Sequence, residues 1–192
     1  MRERLRTSIN DFAFKLANVN GTGSASANGL LMQAIFRMGI PVSGKNLFPS
    51  NIQGLPTWYE IRVNRDGHTA RALDYDLIVA MNAQTYGQDI AEVRSGGYAM
   101  YDSSWPLDRA LYREDIHFLP IPLAQLCNEH FRDPRERILM KNIAYAGALV
   151  GTPYRRANRR RAAGGALLGQ EGATGIKPAG AAPRFRIRSG EL

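Results

Sequence analysis

Apolar and polar positions follow a recurrent order along the first 150 residues. Asp11-Phe-Ala-Phe-Lys-Leu-Ala-Asn-Val19 alternates apolar and mixed positions, which predicts a strand. A turn of small residues, Asn20-Gly-Thr-Gly-Ser24, follows it. Over 26–38, apolar residues recur at Leu30, Leu31, Ala34, Ile35 and Met38, the spacing of one helical face. Ser24 or Ser26 is the expected N-cap, and Gly39 the expected residue past the helix, with Pro41 beyond. Strand, glycine turn and helix in this order open a doubly wound α/β domain.

Residues 41–48 predict a second strand, and 49–56 a polar loop bounded by two prolines. Residues 57–63 alternate again, ahead of a turn at Asn64-Arg-Asp-Gly67. The apolar run 76–81 reads as a strand buried on both faces. A helix over 84–93 is expected to end at Gly96-Gly97, followed by short strands over 98–102 and 116–121 and a short helix over 123–130. The last clear helix covers 134–150. Asp133 is its expected cap, with Pro134 in the first turn and Glu136 in capping-box position. After Gly151 the period stops, and Arg, Gly and Ala supply 24 of the last 42 residues. Such a segment buries too little apolar area to offset roughly 1–2 kcal/mol per residue of ordering, so disorder is expected there. The organisation expected is an N-terminal arm (1–10), one domain (11–151) and a basic tail (152–192). The abrupt change of composition suggests a truncated or frame-shifted product.

Charge sharpens this division. The 192 residues carry a net charge of +8, but 1–150 hold 16 Lys+Arg against 15 Asp+Glu, and 151–192 hold 9 against 2. A nucleic-acid reading therefore rests on the tail alone, and nucleic acid is not the expected partner. The single cysteine, Cys127, excludes a disulfide within the chain, and a four-cysteine zinc site or a cysteine-ligated cluster built from this chain alone. His68, His117 and His130 lack metal-ligand spacing. No apolar run approaches the roughly 18 residues of a membrane span. The basic start, Met1 to Arg6, is not followed by the apolar stretch of a secretory signal, so no membrane and a cytoplasmic location are expected.

Candidate chemistry concentrates at the glycine turn. Gly21 and Gly23 let a ligand approach the backbone, the helix start offers N–H groups to an anion, and Thr22, Ser24 and Ser26 carry hydroxyls. The region of the second strand holds Lys45 and Asn46 where a ribose-binding acid would otherwise stand, and a cation there suits a phosphorylated ribose. The turn is short of a full Gly-x-Gly-x-x-Gly, because Ser26 occupies the third glycine position. Two readings stand here, phosphate binding and tight strand-to-helix packing. No nucleophile elbow or full phosphate-binding loop is present. Asp102-Ser-Ser104 reads as a cap, Cys127 and His117 as structural, and His130 as a cation matched to a helix end. Trp58 and Tyr59 are a pair of which one faces the core and the other can line a pocket. No catalytic acid or base is expected.

Six blocks taken together carry a resemblance. They are Asn18-Val-Asn-Gly-Thr-Gly-Ser24, Gly39 to Gly54 with its Phe48-Pro-Ser-Asn-Ile-Gln-Gly54, Tyr59-Glu-Ile-Arg62, Asp76-Leu-Ile-Val-Ala-Met-Asn82, Gly97-Tyr-Ala-Met-Tyr-Asp102 and Lys141-Asn-Ile143. In this order and spacing the chain resembles the gamma domain of the 2-oxoacid:ferredoxin oxidoreductases. The resemblance implies a Rossmann-like three-layer sandwich with a mostly parallel sheet. It implies thiamine diphosphate, Mg and iron–sulfur clusters on partner alpha and beta subunits only, with electrons passing to ferredoxin through the complex. It also implies that this chain helps bind coenzyme A, with Gly21, Thr22, Gly23, Ser24 and Ser26 at its phosphates, Lys45 on the ribose 3′-phosphate and Asn46 beside it. The sequence departs from the family pattern at Ser24, where a second glycine is common, and at Gln53-Gly54-Leu55, where many members have two glycines. The alternative is a coenzyme- or nucleotide-binding module with no catalytic partner.

Overall fold

The structure is a computed structural model that describes residues 10–49 and 52–162. The strands are β1 (Asp11–Val19), β2 (Val42–Leu47), β3 (Pro56–Asn64), β4 (Tyr75–Ala80), β5 (Val93–Asp102) and β6 (His117–Ile121). The helices are α1 (Ser24–Arg37), α2 (Tyr86–Ala91), α3 (Leu123–His130) and α4 (Pro134–Ala162).

One six-stranded sheet runs β2-β3-β1-β4-β5-β6. The pairs β1–β4, β4–β5 and β5–β6 are parallel, while β3 is antiparallel to both β1 and β2. The expected α/β architecture with a mostly parallel sheet is therefore present. The opening β1–α1–β2 unit differs from a simple doubly wound start, because β3 is inserted between its two strands.

Alternation along β1 builds the layers. Phe12 and Leu16 face one core, packed by Leu31 and Ile35 of α1, Leu123 of α3, and Tyr145 and Leu149 of α4. Ala13 faces the other, with Tyr75, Ile78, Ile90 and Leu107. A central strand covered on both faces must place its side chains in both layers, as the period of two dictates.

Helix ends follow local chemistry. Asp133 Oδ1 accepts from the Arg135 and Glu136 amides at 2.7 and 3.0 Å, as a capping residue does. Asp133→Ala is expected to destabilise the protein by about 1 kcal/mol, read as a lowered urea midpoint with an unchanged slope. Gly39 takes φ +75 after α1, where its N–H donates to Phe36 O at 2.9 Å. The N-cap of α1 is Gly23 (φ +79) rather than Ser24 or Ser26, and no side chain caps this helix.

Three expectations are corrected. Gly96-Gly97 does not end a helix but lies inside β5. Gly96 has φ +76, and a Cβ on Gly97 would stand 2.8 Å from Arg94 O, so both positions need glycine beside a register shift against β4. The helix expected over 84–93 shortens to a 3₁₀ turn and α2. α4 continues to Ala162, so residues 152–162 are helical in backbone. Arginine and alanine are good helix formers, and a helix does not require an apolar stripe to persist. The arm over 1–9 and the expected disorder over 163–192 lie outside the described residues.

Candidate functional site

The glycine turn lies where the carboxyl ends of β1 and β2 meet the start of β3 (Val19 is paired with Pro56, and Leu47 with Trp58). In sheets of this kind, ligands bind beyond the carboxyl ends of strands where the chain order switches. A cavity of about 220 Å³ opens there, and Gly21, Gly23, Ser24, Asn28, Asn46 and Trp58 are among its lining residues. Gly21 and Gly23 are exposed. The start of α1 therefore faces open space, with no side-chain cap and no acidic residue in its first turn. Such a helix end attracts an anion through its free amides and its dipole.

The turn is held rigidly. Asn20 N donates to Leu55 O at 2.8 Å, Asn20 O accepts from Gly54 N at 3.0 Å, and Asn20 Nδ2 donates to Ile52 O at 3.1 Å. These bonds fasten the 52–55 segment beside the turn. Thr22 Oγ1 donates to Val19 O at 2.8 Å, and Asn142 Nδ2 of α4 donates to Thr22 O at 2.7 Å. The side chains of Gln53 and Leu139 stand where a Cβ on Gly21 or Gly23 would go. The glycines thus serve close packing on one side and an open cavity on the other, so the two sequence readings of this turn are compatible.

The expected site residues divide. Gly21, Gly23, Ser24 and Asn46 share the cavity. Thr22 spends its hydroxyl proton inside the turn. Ser26 is exposed on α1 and does not line the cavity. Lys45 is separated from the set. Neighbouring residues of a strand point to opposite faces, and Lys45 lines a second cavity of about 230 Å³ with Glu60, Arg71 and Tyr75. Glu60 there accepts two bonds from Arg71 (2.7 and 2.5 Å) and one from Tyr75 Oη (2.5 Å). Burial, then the Glu60 hydrogen bond, push the Tyr75 hydroxyl well above its ordinary pKa.

Trp58 lines the first cavity while its Nε1 donates to Asp89 at 2.8 Å. Thr57 beside it donates to Leu47 O at 3.3 Å. Residue-level reading passed over Asn20, Asn28 and Thr57. The signal for Asn28 was present, since it shares the buried face of α1 with Ala27, Leu31 and Ile35, where a carboxamide is out of place.

The remaining candidates are structural. Asp102 accepts the Ala124 amide at 3.2 Å, and Ser104 Oγ accepts the Gln125 amide at 2.9 Å, so this pair caps α3 from a neighbouring strand end. His117 is exposed on the edge strand β6 and stacks on Tyr98, with centroids 4.9 Å apart. Cys127 is buried, and burial pushes its thiol pKa up, away from reactivity. Among the described residues, no three His, Cys, Asp or Glu converge as metal ligands. With one buried cysteine, this chain's residues do not fit an iron–sulfur cluster. No described helix is long and apolar enough to cross a membrane.

Comparison with known proteins gives three kinds of match. Residues 13–160 match the family described as Pyruvate ferredoxin/flavodoxin oxidoreductase. Over 92 residues the chain is 27% identical to the alpha subunit of 2-oxoacid:ferredoxin oxidoreductase 2 from Aeropyrum pernix, covering 48% of this chain and 14% of that protein. The fold matches a 2-oxoglutarate:ferredoxin oxidoreductase from Magnetococcus marinus, solved with 2-oxoglutarate, coenzyme A and succinyl-CoA bound. That match has a TM-score of 0.66 and 24% identity, over 78% of this chain and 25% of the other. It also matches a keto/oxoacid ferredoxin oxidoreductase gamma subunit from Geobacter sulfurreducens, with a TM-score of 0.57 and 15% identity over 72% and 75% of the two chains. A pyruvate oxidoreductase subunit from Thermotoga maritima matches at a TM-score of 0.55 and 18% identity, over 73% and 75%. The chain spans only 14% of the Aeropyrum relative and a quarter of the Magnetococcus one.

Proposed function

Because the chain belongs to the pyruvate ferredoxin/flavodoxin oxidoreductase family, we propose that it is the gamma module of a 2-oxoacid:ferredoxin oxidoreductase and holds coenzyme A for chemistry on partner subunits. The observation that carries this reading is the uncapped start of α1, opening with two exposed glycines onto a cavity of about 220 Å³. The resemblance to a relative solved with coenzyme A supports it. Alpha and beta partner subunits would carry thiamine diphosphate, Mg and the clusters, supplying decarboxylation of the 2-oxoacid and electron transfer to ferredoxin. The complex would work in the cytoplasm.

This chain's own part is binding and orientation. Amides of the first turn of α1 take the phosphates, and Ser24 and Asn46 flank them. A carrier held at fixed orientation gains rate through proximity, with no acid or base needed from this chain. Lys45, on the far face of β2, is left out of the set.

Calorimetric titration of coenzyme A into the full chain tests this. One saturable site competed by inorganic pyrophosphate is the expected result, with Lys45→Ala within about twofold of wild type, a difference under half a kcal/mol. Absence of saturable binding at millimolar coenzyme A would overturn the reading.

A further inference from the structure

The floor of the glycine-turn cavity holds a polar group that the packing of the fold does not use. Asn28, in the second turn of α1, is 3% exposed yet lines the cavity. Its Oδ1 accepts a hydrogen bond from Tyr145 Oη at 2.6 Å. Tyr145 Oη in turn accepts from Asn18 Nδ2 at 3.3 Å. The three residues form a directed chain from β1 through α4 to α1, and it sets which end of the Asn28 carboxamide faces where. The oxygen is taken up by Tyr145. The Nδ2 group bonds to nothing among the described residues and is not sealed from solvent.

Nδ2 reaches solvent at the cavity and is free to donate to a ligand or a water there. Three buried residues, one of them the fully buried Tyr145, keep this donor aimed at a site where the helix start already favours an anion. Simple packing would be served better by leucine at position 28.

We infer that Asn28 is a ligand-binding residue of this cavity, its Nδ2 donating to a phosphoryl oxygen at the α1 start, and that Tyr145 is the positioning residue that orients it. This rests on the coenzyme reading above and names a contact that reading does not contain. Asn28 supplies direction as well as charge complementarity. The helix amides attract any anion, whereas a fixed side-chain donor on the floor selects one placed at the correct depth.

The test is titration of coenzyme A into the full chain in three forms: wild type, Asn28→Asp and Tyr145→Phe. Asn28→Asp keeps the shape and replaces the donor by a negative charge. It is expected to weaken coenzyme A binding by at least about tenfold near neutral pH. Its affinity relative to wild type is expected to recover as pH falls toward about 4, where the introduced carboxyl regains a proton to donate. A purely structural role for Asn28 would not produce that recovery. Tyr145→Phe keeps the ring in the core and is expected to weaken binding by about threefold, because it frees the carboxamide to turn. It also serves should the aspartate form fold poorly, which circular dichroism reports. Wild-type binding with both variants unchanged would overturn the role of Asn28 and leave the coenzyme reading standing. No wild-type binding would overturn both.

Discussion

Lys15→Ala is expected to lower the unfolding free energy by about 3–5 kcal/mol, the range for removing one partner of a buried charge pair. Lys15 lies on β1, 4% exposed, facing α2. It forms a salt bridge with Glu92 and stands 3.8 Å from Asp89 Oδ1, with its ammonium 5.3 Å from the centroid of Trp58 and 5.6 Å from that of Tyr75. Asp89 has no exposed surface. Thr85 Oγ1 donates to it at 2.6 Å and Trp58 Nε1 at 2.8 Å. Burial pushes the Asp89 carboxyl above the ordinary carboxylate range, against the opposing pull of Thr85, Trp58 and Lys15. Without Lys15 the carboxylate keeps its hydrogen bonds but loses its buried counter-charge.

The sign of the pH dependence follows. A carboxyl whose pKa is raised by folding contributes its full stability below the unfolded value, near 3.9, and loses it as pH rises through the folded value. Removing Lys15 raises the folded value further. The deficit of Lys15→Ala therefore grows from about pH 4 upward and is smallest in acid. Urea melts between pH 4 and 8 measure it. Replacing both partners, as Lys15→Met with Asp89→Leu, is expected to cost less than the single change, since no buried charge is then stranded at position 89. A Lys15→Ala midpoint equal to wild type at pH 7 would refute the account.

Gly23→Val is expected to weaken coenzyme A binding by about a hundredfold, close to 3 kcal/mol. Gly23 caps α1 at φ +79, and a Cβ there would stand 2.6 Å from Leu139 Cδ2. The left-handed conformation alone costs a residue with a side chain roughly 1–2 kcal/mol, and a β-branched one fares worst. Leu139 Cδ2 ends an exposed, flexible side chain and can swing aside, so the loss comes from the backbone: valine does not hold φ +79, and relaxing that dihedral carries the first-turn amides of α1 away from the phosphate position. Gly39→Ala provides the comparison. Its φ is +75, nothing stands within 4 Å of the added Cβ, and it lies at the other end of the helix. It is expected to lower stability while leaving affinity intact. Equal affinity losses at positions 23 and 39 would show that general destabilisation, not the position of these amides, controls binding.

The strands and helices were largely legible because each carries its own period. β1 and α3 fall at the expected bounds, and α1 begins two residues early because its cap is a glycine conformation, not a side-chain hydroxyl. Non-local arrangements were not legible. Nothing in the pattern of 56–64 announces that β3 will separate β1 from β2, since pairing partners are chosen by the whole sheet. Lys15 reads as the mixed position of an alternating strand. Its burial depends on Asp89 and Glu92, more than 70 residues away. Strand alternation alone sets Lys45 and Asn46 on opposite faces of β2, and the two line different cavities. The local shape of the glycine turn was legible, because a positive φ and an open helix start are both written in Gly21-Thr-Gly-Ser24.

The place of β1 in the sheet bears on how the chain acquires its shape. Among the strands of this sheet β1 is made before the others, yet its two neighbours begin at residues 56 and 75. Its backbone donors and acceptors on both edges therefore wait on segments the ribosome has not yet made. Non-local pairing of this kind slows folding and leaves strand edges open to wrong partners. Nascent chains arrested before β4 emerges should be held by chaperones and cut readily by protease within residues 11–19, and chains long enough to include β4 should resist.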